Sequence, residues 1–193
     1  MQSSADVALS TLSAEALEGR LSELGALLHA CVAAGASVNF VWPFVPAEAD
    51  AFWERKVLPA VHAGTRTVFI AETAEGIVGT VQLDADTPPN QRHRAEIAKL
   101  LVHPDARRRG IARTLMGAAE ERARALGRTL ITLDTRAGDF AEPLYASIGY
   151  LTAGTIPGYC LDPSGARLDA TTIMYKPLTG FSPPSPATAT ARG

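Results

Sequence analysis

The chain has 193 residues, 47% of them hydrophobic and 20% charged, with a formal net charge of −2. That length supports a core of ordinary size, and so even a balance gives no broad field for nucleic acid or an anionic membrane. No apolar run approaches the roughly 20 residues that span a bilayer, and the start, MQSSADVALS, lacks the basic and apolar parts of a secretory leader, so the cytoplasm is the expected setting.

Residues 6–10 alternate weakly and predict an edge strand. Ser13 suits a helix cap, and Leu17, Leu21, Leu24, Leu28 and Cys31 follow at helical spacing. The break over 35–43 carries Phe40 and Trp42, which are either core plugs or the wall of a substrate cleft. Pro46 and Glu48 open a second helix with Phe52, Trp53, Val57, Leu58 and Val61, closed by Gly64. Strands at 67–72 and 77–83 form a hairpin around a turn at 74–76, and 84–94 reads as a loop. A strand over 96–102 is stopped by His103-Pro104-Asp105, because proline has no ladder donor. A helix then runs from Ile111 to Gly127, with Ile111, Leu115, Ala119 and Leu126 near one face.

Residues 129–134 form the next strand, so strand–helix–strand implies a right-handed crossover and a parallel pair. After a turn at 137–139 come a short helix over 140–147 with Pro143 in its first turn, a strand at 150–156, a long loop over 157–165 and a last strand at 171–176. Residues 179–193 are rich in Pro, Thr and Ala and predict a disordered tail, leaving one domain over 1–178. This order predicts an α/β fold of the α+β type. Its mixed, mostly antiparallel sheet is parallel only at a central strand pair and is flanked by helices. Cys31 and Cys160 are the only cysteines, far apart in the chain and outside any metal-ligand pattern, so no disulfide framework and no metal site are expected. Cys160 either lines a pocket or packs as a bystander.

The chemistry begins at Arg107-Arg108-Arg109-Gly110-Ile111-Ala112, between the 96–102 strand and its helix. A helix start presents unpaired N–H groups and a partial positive charge. Gly110 and the small Ala112 let a ligand approach the backbone, and the arginines raise the local potential. Such a turn suits a phosphate or pyrophosphate. The Lys-Ser/Thr of a Walker A loop and the G-x-G-x-x-G of a dinucleotide turn are both missing.

Arg107-x-x-Gly110-x-Ala112 in this strand–turn–helix setting resembles the acyl-CoA pyrophosphate loop of the GNAT superfamily of N-acetyltransferases. Within that superfamily the chain looks similar to the tabtoxin-resistance acetyltransferases and their bacterial relatives. The likeness lies in Gly35-Ala-Ser-Val, Ala95-Glu96 with Lys99-Leu100, Leu133-Asp-Thr135 with Ala137-Gly138, and Pro157-Gly-Tyr-Cys160 with Asp162-Pro163. It implies transfer of an acetyl group from acetyl-CoA to an amine by direct attack, with the cofactor on Arg107, Arg108, Arg109, Gly110, Ile111, Ala112 and Arg113. Backbone N–H around Leu101 or Val102 would serve the oxyanion and the pantetheine arm.

Glu96, at the start of that strand, and Asp134, at the end of its neighbour, stand where such enzymes keep carboxylates. Each is a base, an electrostatic holder of the ammonium, or merely a strand-end cap or ion-pair partner. Tyr145, in Leu144-Tyr145-Ala-Ser-Ile-Gly149-Tyr150, resembles the tyrosine that reaches the CoA sulfur; Tyr150 is expected in the core. The acceptor side is expected from the loop carrying Phe40 and Trp42 and the loop carrying Tyr159, Asp162 and Arg167. The expected partner is a small-molecule amine, not nucleic acid or membrane, and the resemblance allows a homodimer that completes the cleft. Rival readings are a protein N-terminus or lysine as acceptor, and a non-catalytic acyl-CoA sensor.

Overall fold

The strands emerge close to where alternation puts them: β1 (Ala8–Leu12), β2 (Arg66–Thr73), β3 (Gly76–Asp84), β4 (Arg94–Val102), β5 (Leu130–Arg136), β6 (Leu151–Leu161) and β7 (Leu168–Pro177). In the computed structural model, which describes residues 7–178, they form one sheet in the order β1-β2-β3-β4-β5-β7-β6. Every neighbouring pair is antiparallel except β4–β5, as the crossover argument requires. The helices are α1 (Ala14–Glu18), α2 (Leu21–Ala33), α3 (Pro46–Phe52), α4 (Leu58–His62), α5 (Ile111–Ala125) and α6 (Ala141–Ser147). The tail expected over 179–193 lies outside the described residues.

The inner strands are buried on both faces, so alternation sorts their side chains into two cores. Val68 and Ile70 of β2 pack under α1–α4 with Leu24, Leu28, Trp53 and Leu101, while Phe69 and Ala71 pack under α5 and α6 with Val81, Ile97, Leu115 and Leu133. Each such large side chain taken from water stabilises by about 1.5–3 kcal/mol. Helix α5 sits especially close to the sheet at Gly79. A Cβ there would stand 3.0 Å from Ile111 Cγ2, 3.1 Å from Leu115 Cδ1 and 3.2 Å from the Leu101 carbonyl oxygen. Near the far end of α5, the buried Glu120 accepts from Lys176 Nζ at 2.6 Å, and the same ammonium donates to the Ile148 carbonyl at 2.6 Å.

Three expectations are corrected. The first helix is two, divided at Gly19–Arg20, where the Arg20 guanidinium pairs with Glu23 at 2.7 Å and with Glu72 of β2 at 2.7 Å. Ser13 does cap α1, its Oγ accepting from Ala16 N–H at 3.1 Å. The second helix is interrupted by a π turn at Trp53–Val57, with Leu58 N–H reaching back to the Trp53 carbonyl. Pro59 explains it, since its ring cannot follow an unbroken α-helical turn. The strand expected to end at 156 instead continues to Leu161, with Ile156–Cys160 bulged away from β7. Pro157 is tolerated because β6 is an edge strand. Among the described residues no helix is long and apolar enough to cross a membrane.

Candidate active site

The site grows from a fault in the sheet. β4 and β5 pair over only three rungs, Arg94↔Leu130, Ala95↔Ile131 and Glu96↔Thr132. Beyond Glu96 neither strand keeps the other as a partner: Ile97–Val102 bond only toward β3, and 133–136 of β5 only toward β7. The two parallel strands therefore open toward their carboxyl ends, leaving β4 beyond Glu96 without a strand partner on its β5 side. That end of a parallel pair is where α/β sheets take ligands.

Above the gap lies the basic turn. After Val102 the chain runs through a tight turn at Pro104–Ala106 and enters α5 with Arg108 at φ 61° and Gly110 at φ 79°. These two left-handed residues flank Arg109 and turn the chain sharply into the helix. No side chain caps α5, so its first-turn N–H groups keep their donors for a ligand. A Cβ on Gly110 would meet nothing within 4 Å, so the space in front of it is open. Arg107, Arg108 and Arg109 are exposed beside it, with Arg107 Nε donating to the Val102 carbonyl at 3.4 Å. Arg113 is turned the other way and donates to Ser147 Oγ at 2.8 Å, tying α5 to α6. An uncapped helix start, a left-handed turn and a clear approach suit the diphosphate of an acyl-CoA.

The candidate side chains divide between the two faces of the sheet. Ala95, Ile97, Ile131 and Leu133 point into the α5–α6 core, so alternation sends Glu96, Thr132 and Asp134 to the opposite face. Glu96 is half-exposed and meets Arg94 Nη1 at 3.5 Å; that guanidinium also donates to Thr132 Oγ1 at 3.2 Å. Asp134 is exposed, and its carboxylate has no hydrogen-bond or ion-pair partner among the described residues. Tyr145, from α6, stands on the α5–α6 side at 6% exposure, its ring 5.8 Å from that of Tyr150. Burial, then the charges of Asp134 and Asp139, push its phenol well above the ordinary tyrosine range. Its hydroxyl makes no hydrogen bond among the described residues. Tyr150 is in the core as expected, its hydroxyl sealed.

The two acceptor-side loops meet: Trp42 N–H donates to the Pro163 carbonyl at 2.7 Å. Trp42 stays 44% exposed with its ring 5.5 Å from that of His29, whereas Phe40 packs on Phe44 at 4.4 Å and edge-on to Phe52 at 5.3 Å. Tyr159 is exposed on the bulge of β6. Asp162 is occupied with the turn itself, accepting from Ser164 Oγ, Ala166 N–H and Arg167 N–H. These bonds, Ser164 first, hold its carboxyl below the usual carboxylate range.

One residue that sequence reasoning gave no role stands at the mouth of the gap. Between Thr80↔Leu101 and Gln82↔Ala98 the β3–β4 register slips, and Lys99 sits in the slip at φ 51°. A left-handed lysine costs about 1–3 kcal/mol. The slip turns its side chain out of the face that Ile97 and Leu100 share and lays Nζ 5.4 Å from the Phe52 ring and 5.8 Å from the Phe40 ring. The only signal in the sequence is a lone cation inside an apolar run.

Comparison with known proteins agrees with this fold. The model of the acetyltransferase (GNAT) family matches residues 32–150. Among solved structures, yncA of Salmonella typhimurium, assigned as an acetyltransferase and solved with its cofactor acetyl-CoA, superposes with a TM-score of 0.71 at 16% identity over 93% of this chain and 98% of its own. A ribosomal-protein-alanine N-acetyltransferase from Brucella melitensis gives 0.71 at 22% identity, over 89% and 99%. A structure assigned as a phosphinothricin N-acetyltransferase gives 0.72 at 16% identity, over 91% and 100%. At such identities these likenesses carry the fold alone, and the acceptors for which the last two are named differ.

Proposed function

The chain belongs to the acetyltransferase (GNAT) family and is an acetyl-CoA-dependent N-acetyltransferase; from that premise we propose that its acceptor is the amine of a small, amino-acid-like molecule. The observation that carries the proposal is the division of candidate groups between the two sides of the β4–β5 gap. Carboxylates lie on one face and a protonated phenol on the other.

Acetyl-CoA supplies an activated thioester, and the turn from Arg107 to Ala112 with the Arg113 helix start holds its diphosphate. The remaining work falls to the protein. An alkyl amine with a pKa near 10 is protonated at pH 7, and freeing it costs about 4–5 kcal/mol. Asp134, whose carboxylate is unpaired, and Glu96, steadied by Arg94, attract the ammonium and take its proton directly or through water. Backbone N–H groups near Leu101 and Val102 stabilise the oxyanion. Tyr145 meets growing thiolate charge from the opposite face; since a thiol has pKa near 8.5, a hydrogen bond is enough.

The loops bridged at Trp42 and Pro163 favour an enclosed, small acceptor over a protein terminus, which needs an open groove. The segments that resemble those of tabtoxin-resistance enzymes support a role in resistance or metabolism, exercised in the cytoplasm by a homodimer. The test is an amine panel with acetyl-CoA, followed by loss of thioester absorbance. Acetylation of small amines supports the proposal. Turnover confined to peptides ending in a free amine would replace it.

A further inference from the structure

Lys99 is an expensive residue in an otherwise economical strand. Its left-handed backbone and the register slip serve to move one ammonium from the α5–α6 core to the face that also carries Glu96 and Asp134. There it lies against two aromatic rings, which attract a cation but accept no ordinary hydrogen bond from its three N–H donors. Among the described residues it makes no ion pair and no hydrogen bond. Arg66, the cation nearby, is already committed to Asp84. Burial lowers the lysine's pKa and Arg66 adds to that shift, with Asp134 and Glu96 acting against it. Such a half-buried, unpartnered ammonium is stabilised by any ligand that brings an anionic oxygen.

We infer that Lys99 is a specificity-determining residue that receives the carboxylate of the acceptor, so that the preferred substrate carries a carboxylate and an amine together. Glu96 and Asp134 take the ammonium end, and Lys99, backed by Phe40 and Phe52, takes the other. A lone ammonium matches a singly charged carboxylate better than a dianionic phosphate, which would call for a second free cation. The inference rests on the small-amine reading above and narrows it.

The experiment pairs acids with their neutral counterparts. The full chain is assayed with acetyl-CoA against α-, β- and γ-amino acids, each beside its carboxamide. For the wild type, kcat/KM for the best acid exceeds that of its amide at least 10-fold. In Lys99→Met, which keeps the stem and the same backbone demand, that ratio falls to near one through a raised KM for the acid, and Lys99→Arg restores part of it. Acetyl-CoA affinity, measured by titration, verifies that each variant is folded. A wild type that acetylates amines without preferring acids overturns this inference alone, as does a Lys99→Met variant that keeps the full preference. An acetyl group found on Lys99 by mass spectrometry after incubation also overturns it, by making the lysine an acceptor. A wild type that binds acetyl-CoA but acetylates no member of the panel refutes the small-amine reading, and this inference with it.

Discussion

Tyr145→Phe isolates the step on the leaving-group side. The substitution removes one oxygen whose hydroxyl makes no hydrogen bond among the described residues, and keeps a ring that packs 5.8 Å from Tyr150 in a site 6% exposed. Its effect on stability is therefore expected within about 0.5 kcal/mol. Its effect on turnover is not small. A positioned proton donor contributes about 10²-fold or more, so kcat falls by that factor, equivalent to about 2.7 kcal/mol of barrier. The phenol's pKa is raised by burial, then by Asp134 and Asp139, so the wild-type donor stays protonated past the ordinary tyrosine range. Hence the wild-type kcat shows no alkaline decline from this group between about pH 7 and 10, and the variant runs parallel beneath it. Steady-state turnover over that range, thermal melting and acetyl-CoA titration together decide the matter. Turnover within threefold of wild type refutes the role, and so does a loss of turnover matched by an equal loss of stability.

Gly110→Glu places a side chain in open space at φ 79°, costing about 1–3 kcal/mol of strain that a folded domain tolerates, while its carboxylate opposes the diphosphate. Acetyl-CoA affinity should fall by about 100-fold or more by calorimetry with the far-UV spectrum unchanged. Gly79→Ala forces Ile111, Leu115 or the Leu101 carbonyl to yield, so α5 lifts at its first turn; melting shows a loss of about 1–3 kcal/mol, and the acetyl-CoA KM rises. Cys31 is 1% exposed, and burial pushes its thiol up to about 11 from an ordinary value of 9.0. Its contribution to stability is therefore complete below pH 9 and is lost as pH rises toward 11; Cys31→Ala flattens that alkaline slope in denaturant titrations. In the native protein at pH 8 a thiol reagent should modify the partly exposed Cys160 quickly and Cys31 only on unfolding.

What the sequence made legible was whatever depends on local period. Alternation in β2 to β5 and the stripe in α5 follow from side-chain direction within one element. The parallel pair followed from one crossover, and the left-handed Gly110 at the start of α5 from its place between the arginine run and the apolar stripe. Features that depend on a partner strand were hidden. At the break between α1 and α2, Arg20 pairs with Glu72, a residue of another element. Pro157 ended the expected strand because nothing local reveals that β6 lies at an edge. The slip at Lys99 is the sharpest case. Ile-Ala-Lys-Leu-Leu-Val reads as a buried strand with its lysine on the same face as Ile97, and only pairing with β3 shows the extra residue that turns it over.

That slip also explains why the two halves of the site share one strand. β4 leaves β5 after Glu96, slips against β3 at Lys99, and rejoins β3 at Leu101 and Val102 before entering the turn proposed for the diphosphate. Gly79, opposite Val102, brings α5 down onto this last segment. A shift of β4 by one residue would therefore move the cofactor turn and exchange the faces of Glu96 and Lys99 together. Acceptor and cofactor binding are coupled through the register of nine residues, so substitutions at Gly79 should alter acceptor preference as well as acetyl-CoA affinity. If Gly79→Ala raised the acetyl-CoA KM while leaving the acid-to-amide ratio untouched, the two halves would be independent and this coupling would be wrong.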